Sequence, residues 1–251
     1  MSGSALSAVG ISILQVAAAY TSTSITLPGL DSASWNATIC FSISALVLVL
    51  TLVLYSALRS DDHTVLDQKQ NFKDFDVEEL PSEQPRSMYG CNFSVFYTAV
   101  VTLCLFPAIT ASIESTNKKI DPLVFNALHF LAFNIADLVG RFFSSIPFIS
   151  PTNDTFLIAY SVLRSLFIPF FVACNFAGSS EPSFITSDAV YMLGLFLFGL
   201  THGHCSTISL VAASKREDDA QNGRGARLAQ FWMMVGIVVG GGASFGVHAI
   251  L

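Results

Sequence analysis

Phe133-Asn134-Ile135-Ala136-Asp137-Leu138-Val139-Gly140-Arg141 sits in the middle of an otherwise apolar run from Pro122 to Pro147. A run of that length spans a bilayer as a helix, which sets Asp137 near the midplane and Arg141 one turn further, about 6 Å along the axis. Each charge would cost roughly 2.5 to 3.5 kcal/mol at that depth if it stood alone. The spacing offers a remedy. Asn126, Phe130, Asn134, Asp137, Arg141 and Ser144 or Ser145 recur at intervals of three and four, while Val124, Leu128, Leu131, Ile135, Val139 and Phe142 fall largely on the other side. The carboxylate lies four residues before the guanidinium, the favourable order for an ion pair on a helix, so the stripe is expected to face a bundle interior or a watery cavity. A pair that only clamps two helices is the competing reading, but ionisable residues inside membranes are functional more often than decorative.

Apolar runs flank this one on both sides. Of the 251 residues, 52% are hydrophobic and 12% charged, with a mean hydropathy of +0.60, whereas an ordinary soluble domain carries about 25% charged residues. The fold class is therefore all-α, a multi-pass transmembrane helical bundle with seven spans: residues 1–20, 35–58, 89–113, 122–147, 156–176, 188–213 and 228–251. A cleaved signal peptide is the rival reading of the first, but no Lys or Arg precedes its apolar core. Residues 1–58 hold two helices, 59–88 a hydrophilic loop with eight Asp or Glu, and 89–251 a five-helix bundle. The net charge of -6 provides no basic field for nucleic acid.

Four features inside the spans carry further expectations. Arg164, too deep to snorkel easily, is expected to reach the acidic stripe, and Pro169 to kink its helix. His202 and His204 lie two apart on a helix and point roughly 200° apart, so core packing or a cavity contact is expected rather than a shared metal. Gly236, Gly240, Gly242 and Gly246 give two spacings of four that allow close helix packing. Cys40, Cys91, Cys104, Cys174 and Cys205 fit no metal or redox motif and read as small buried hydrophobes with free thiols. No cofactor or metal is expected. Nothing forms a nucleophile and base set, so the chain is not read as an enzyme.

Charge asymmetry fixes an orientation. The connections at 59–88, 149–155 and 214–227 carry eight Lys or Arg, against two at 21–34, 114–121 and 178–187. The first set is expected to be cytoplasmic, with the N-terminus cytoplasmic and the C-terminus extracellular or luminal. A seven-helix receptor would need the opposite sense. A scaffold would need no polar stripe at the midplane, whereas a carrier of a polar solute does.

Phe-Asn-x-x-Asp-x-x-Gly-Arg at 133–141 resembles the eighth helix of the equilibrative nucleoside transporters. Thr98-Ala99-Val100-Val101-Thr102 followed by Phe106-Pro107-Ala108-Ile109-Thr110 resembles the family's seventh helix. Arg164 with Phe167-Ile168-Pro169 and Cys174-Asn175 resembles its ninth. Ser4-Ala5-Leu6-Ser7 and the Gly-rich last helix extend the likeness to both ends, while His202 and His204 stand where the family usually has Asn-Gly-Tyr-like residues. The resemblance implies a major-facilitator-like fold of eleven helices in two bundles, of which this chain resembles helices five to eleven. It also implies facilitative or proton-coupled transport of nucleosides or nucleobases, across the plasma membrane or a vacuolar or lysosomal membrane. Under it Arg141 and Asp137 hold ribose hydroxyls or polarise the base, Asn134 adds a hydrogen bond, and Phe106 or Phe130 forms an apolar wall for the base. The partners it implies are the substrate, the lipid bilayer, and an oligomer or the missing N-terminal half. Lacking the family's first four helices, the chain is expected to be truncated. The alternative is a non-transporting scaffold or a degenerate transporter fragment.

Overall fold

The structure is a computed structural model that describes residues 2–24, 32–60, 88–117, 119–175, 184–216 and 224–248. Among the described residues it is almost wholly helical, with no strand beyond one isolated bridge between Cys174 and Ile185. The helices are α1 (Ser2–Ser24), α2 (Ser32–Ser60), α3 (Tyr89–Leu105), α4 (Pro122–Phe143), α5 (Asp154–Leu163), α6 (Phe167–Val172), α7 (Asp188–Arg216) and α8 (Arg224–His248). Taking α5 and α6 as one broken span, seven helical stretches among the described residues are long and apolar enough to cross a membrane. The chain is an integral, multi-pass membrane protein. Most of the hydrophilic loop expected at 59–88 lies outside the described residues.

Two compact units divide the chain: Met1–Ala19 with Arg86–Leu251, and Tyr20–Pro85. In the second, α2 exposes Phe41, Leu46, Leu48, Leu50 and Leu52, an apolar surface suited to lipid. In the first, α3 packs along α8 and α4 along α7. The α3–α8 contact is close because Gly236 and Gly240 face the main-chain carbonyls of Phe96 and Val100. Gly242 and Gly246 face open space, so of the two glycine spacings only the first makes a helix contact.

Two helices end earlier than the sequence expectation. α3 ends at Leu105 rather than near Ile113, because Phe106 precedes Pro107 and is pushed to extended backbone (φ -112°, ψ 128°). A single 3-10 turn, Thr110–Ser112, follows. α4 starts cleanly, with the Asp121 carboxylate accepting from Leu123 N–H at 2.8 Å and Pro122 in the first turn. It stops at Phe143, four residues short of Pro147, which opens a turn of its own.

The break in the fifth span falls earlier than Pro169 itself. The helix tightens to 3-10 at Arg164–Leu166 and restarts at Phe167. Pro169 is then the third residue of α6, in the turn whose N–H groups have no intrahelical partner, so its missing donor costs nothing there.

A continuous core of Leu105, Ile109, Phe125, Phe133, Phe171, Tyr191, Leu195 and Phe198 ties α3, α4, α6 and α7 together. Cys91, Cys174 and Cys205 are buried, Cys104 is half-buried, and none of these four forms a disulfide. Burial pushes the Cys174 thiol up to about 11, which keeps it an inert, protonated hydrophobe. Cys40 has a side chain outside the described set.

Candidate functional site

Of the residues expected on the lipid side of α4, Val124, Leu131 and Val139 are half-buried, and of the expected polar stripe Asp137 is buried while Asn126, Phe130, Asn134 and Arg141 are half-buried. Leu128, Ile135 and Phe142, seven residues apart in turn, are exposed. Opposite them, Phe125, His129, Phe133, Ala136, Asp137 and Gly140 are buried. The approach of α4 to α7 is set by missing side chains. A Cβ on Gly140 would collide with the Leu200 carbonyl oxygen, and one on Gly203 with the carbonyl oxygen of Asp137. Backbone therefore meets backbone at the level of the carboxylate.

Asp137 is only 5% exposed. One of its oxygens, Oδ2, accepts from Arg141 Nε at 2.8 Å; the other, Oδ1, accepts from Arg141 Nη2 at 3.4 Å and lies 2.8 Å from His202 Nδ1 on α7. An ionised carboxylate can only accept, so the imidazole donates from Nδ1. The arrangement is a three-residue cluster, Arg141–Asp137–His202, rather than the isolated intrahelical pair that the spacing suggests.

Of the remaining candidate residues, Asn134 and Phe130 lie on α4 and Phe106 caps the end of α3 beside them. Asn134 Nδ2 donates to Ser12 Oγ of α1 at 2.6 Å, and Ser12 in turn donates to Ala8 O. Phe106 meets Phe130 edge-on at 5.0 Å between centroids and stacks flat on Phe133 at 4.0 Å. Phe133 reaches the His202 ring at 5.9 Å. An aromatic column thus runs from Phe130 through Phe106 and Phe133 to the charged cluster. At its far end His129, fully buried, stacks on Phe130 at 4.5 Å with neither ring nitrogen bonded among the described residues.

Arg164 departs from expectation. Its guanidinium does not bond the acidic stripe. Nη2 donates to Thr102 Oγ1 at 2.9 Å, Nη1 donates to Thr201 Oγ1 at 3.0 Å and weakly to the Phe198 carbonyl, and the group lies 4.8 Å above the Phe198 ring. The reason is positional: Arg164 sits at the 3-10 break, between the neighbouring helices α3 and α7, where two hydroxyls and a carbonyl accept from its two Nη groups and a ring face lies beside the charge, while its buried Nε has no partner among the described residues.

The two histidines of α7 serve different neighbours, as their angular offset requires. His204 lies 3.3 Å from both Tyr160 Oη and Ser150 Oγ, away from Asp137. Sequence reasoning missed the pairing of His202 with Asp137, the anchoring of Asn134 by Ser12, and the role of Thr102 and Thr201. Only tertiary packing joins these residues, and no sequence spacing announces it.

Chemically, the cluster offers a fork of guanidinium donors, a carboxylate acceptor and an imidazole beside aromatic rings. That set suits a neutral solute with adjacent hydroxyls and a planar ring.

A family model described as nucleoside transporter matches residues 86–249. The human protein named equilibrative nucleoside transporter 2 is 29% identical over 216 residues, covering 77% of this chain and 47% of that protein. The Rattus norvegicus protein of the same name is 30% identical over 156 residues, 60% of this chain and 34% of the relative. Human equilibrative nucleoside transporter 1 is 24% identical over 164 residues, 63% and 36%. The chain spans about half the length, or less, of the curated relatives it matches.

Proposed function

As the chain belongs to the nucleoside transporter family, we propose that it carries nucleosides or nucleobases across a membrane, with the Arg141–Asp137 pair at the centre of the solute site. The observation that supports this most is the pair itself: a buried carboxylate and a half-buried guanidinium 2.8 Å apart, which α4 carries in its last two turns rather than at its middle as the sequence suggested, beside a column of aromatic rings. A purely structural helix contact would need neither the charges nor the column. Arg141 presents parallel donors to two vicinal ribose hydroxyls, Asp137 accepts from one of them, and Asn134 adds a bond once its amide leaves Ser12. Phe106 or Phe130 supplies a stacking wall, a contact worth roughly 1 to 3 kcal/mol per base.

Arg141→Lys tests this directly. It keeps the charge and loses the planar fork. Normal abundance at the membrane is expected, with a severalfold weaker apparent affinity for uridine or adenosine in an uptake assay. Unchanged affinity would move the solute site elsewhere.

The charge asymmetry of the connections supports a cytoplasmic N-terminus and an extracellular or luminal C-terminus. A tag after Leu251 should then label from outside an intact cell or from an organelle lumen, and a tag within residues 61–80 should not. The reverse labelling pattern would invert the topology.

A further inference from the structure

We propose that His129 and Asn126 of α4 form a base-reading subsite that selects purine nucleosides carrying an amino or oxo group at C6. The proposal rests on the transport reading above and names the substrate class of that same site.

Three polar atoms on one turn of α4 stand unmatched. His129 is fully buried, and neither of its ring nitrogens has a hydrogen-bond partner among the described residues. Asn126 Oδ1, one turn earlier, is also buried and unpartnered, and residues three apart are neighbours on a helix surface. Buried donors and acceptors are normally paired, because a bare one forfeits the hydrogen bond it had with water. A group of three fits a contact that is completed by a solute. The other bare atoms are single and lie elsewhere: Asn92 Oδ1 on α3, and Arg164 Nε at the 3-10 break, where the other nitrogens of the guanidinium are bonded.

The place of this group on the helix matches the base end of a nucleoside. His129 shares the buried face of α4 with Phe133 and Asp137, and lies about 12 Å along the axis from the carboxylate's residue. Phe106 bridges the interval, stacked on Phe133 at 4.0 Å between centroids and perpendicular to His129 at 5.8 Å. With ribose hydroxyls on Arg141 and Asp137, a base stacked against Phe106 directs its far edge at His129. Phe106 is half-buried and stands on extended backbone at the end of α3, so its ring can turn off His129 without unwinding that helix.

The donors and acceptors then choose the base. An imidazole carries an N–H and a lone pair, and the Asn126 amide oxygen accepts. An N–H beside an acceptor complements a base edge that offers an acceptor beside a donor. Adenine presents N1 and its 6-amino group, and hypoxanthine presents O6 and N1–H. Uracil has such an edge as well, but its single ring ends short of His129, whereas the fused rings of a purine span the interval. A purine with no substituent at C6 reaches the same place and leaves Asn126 Oδ1 bare.

The test is calorimetry of adenosine, inosine, purine riboside and uridine binding to the purified full chain. Adenosine and inosine are expected to bind about tenfold more tightly than purine riboside, because a site built to bond a polar group rejects the analogue that lacks it. Uridine should bind no better than purine riboside. His129→Phe keeps a ring beside Phe106 and Phe130 and removes both nitrogens, and Asn126→Leu removes the oxygen. Each should bring adenosine down to the affinity of purine riboside and leave uridine unchanged, with a melting temperature at or above wild type, since a bare polar atom has gone.

Equal affinities for the three purine nucleosides in the wild type would overturn the proposal and leave the transport reading standing. So would a preference that survives in both variants, because the edge would then be read elsewhere. Binding of none of the four would take down the transport reading as well. Should the variants fail to fold, nitrogen NMR of the wild-type protein labelled at histidine decides the matter. Adenosine should shift an imidazole signal that uridine leaves in place, and the absence of such a signal refutes the proposal.

Discussion

Asp137→Ala is expected to abolish nucleoside uptake and to cut sharply the amount of folded protein at the membrane. The carboxylate is the single acceptor shared by Arg141 and His202, at 2.8 Å from each. Without it Arg141, in the last turn of α4, becomes an unpaired cation in a membrane helix. Breaking a buried pair by removing one partner costs about 3 to 5 kcal/mol, a large share of the roughly 5 to 15 kcal/mol that holds a typical domain folded. Asp137→Asn keeps the shape but strands the same charge, so it should fall close behind. The double change Asp137→Asn with Arg141→Gln removes both charges together. Folded yield should then recover, because no uncompensated ion remains, while uptake stays lost, because neither the fork nor the carboxylate is present. The measurement is uptake normalised to protein at the membrane. Recovery of uptake in the double variant would show the pair to be a clamp and nothing more.

The pair was legible because everything that defines it is local. Asp137 and Arg141 lie one turn apart on one helix, and a 3.6-residue period separates them from the lipid-facing Leu128, Ile135 and Phe142 without any knowledge of the neighbours. The apolar runs that make the spans were legible for the same reason. Their ends were less so. Proline shortens α3 through the residue before it, and in the fifth span the helix breaks ahead of Pro169 so that the proline falls in a first turn. His202 was the largest omission. Its offset from His204 predicted different neighbours but could not say which ring meets Asp137, since that depends on the crossing of α4 and α7. Arg164 fails in the opposite way: charge suggested a carboxylate partner, and burial between α3 and α7 supplied Thr102 and Thr201 instead.

That crossing leads to the second large effect. Gly203→Ala should destabilise the protein and disable the site at once. Gly203 adjoins His202, and a methyl group there would overlap the main-chain oxygen of Asp137 and approach its Oδ1 to 2.9 Å. The obstacle is backbone of a packed helix, not the tip of a flexible side chain, so no rotamer change relieves it. α7 would have to retreat from α4 by about 1 Å or more to restore ordinary contact. Overpacking of this kind costs about 1 to 3 kcal/mol, and backbone against backbone places it at the top of that range. The same retreat would lengthen the 2.8 Å bond from His202 to Asp137. Gly242→Ala in α8 is the matched control, because nothing lies within 4 Å of its added carbon and alanine favours a helix interior over glycine by about 0.5 to 1 kcal/mol. Thermal unfolding of the purified proteins should therefore show Gly203→Ala melting well below wild type and Gly242→Ala at or slightly above it. Uptake should survive only in the second. Equal melting of the two variants would mean that α4 and α7 do not meet backbone to backbone at Asp137, and the three-residue cluster would have to be abandoned with that contact.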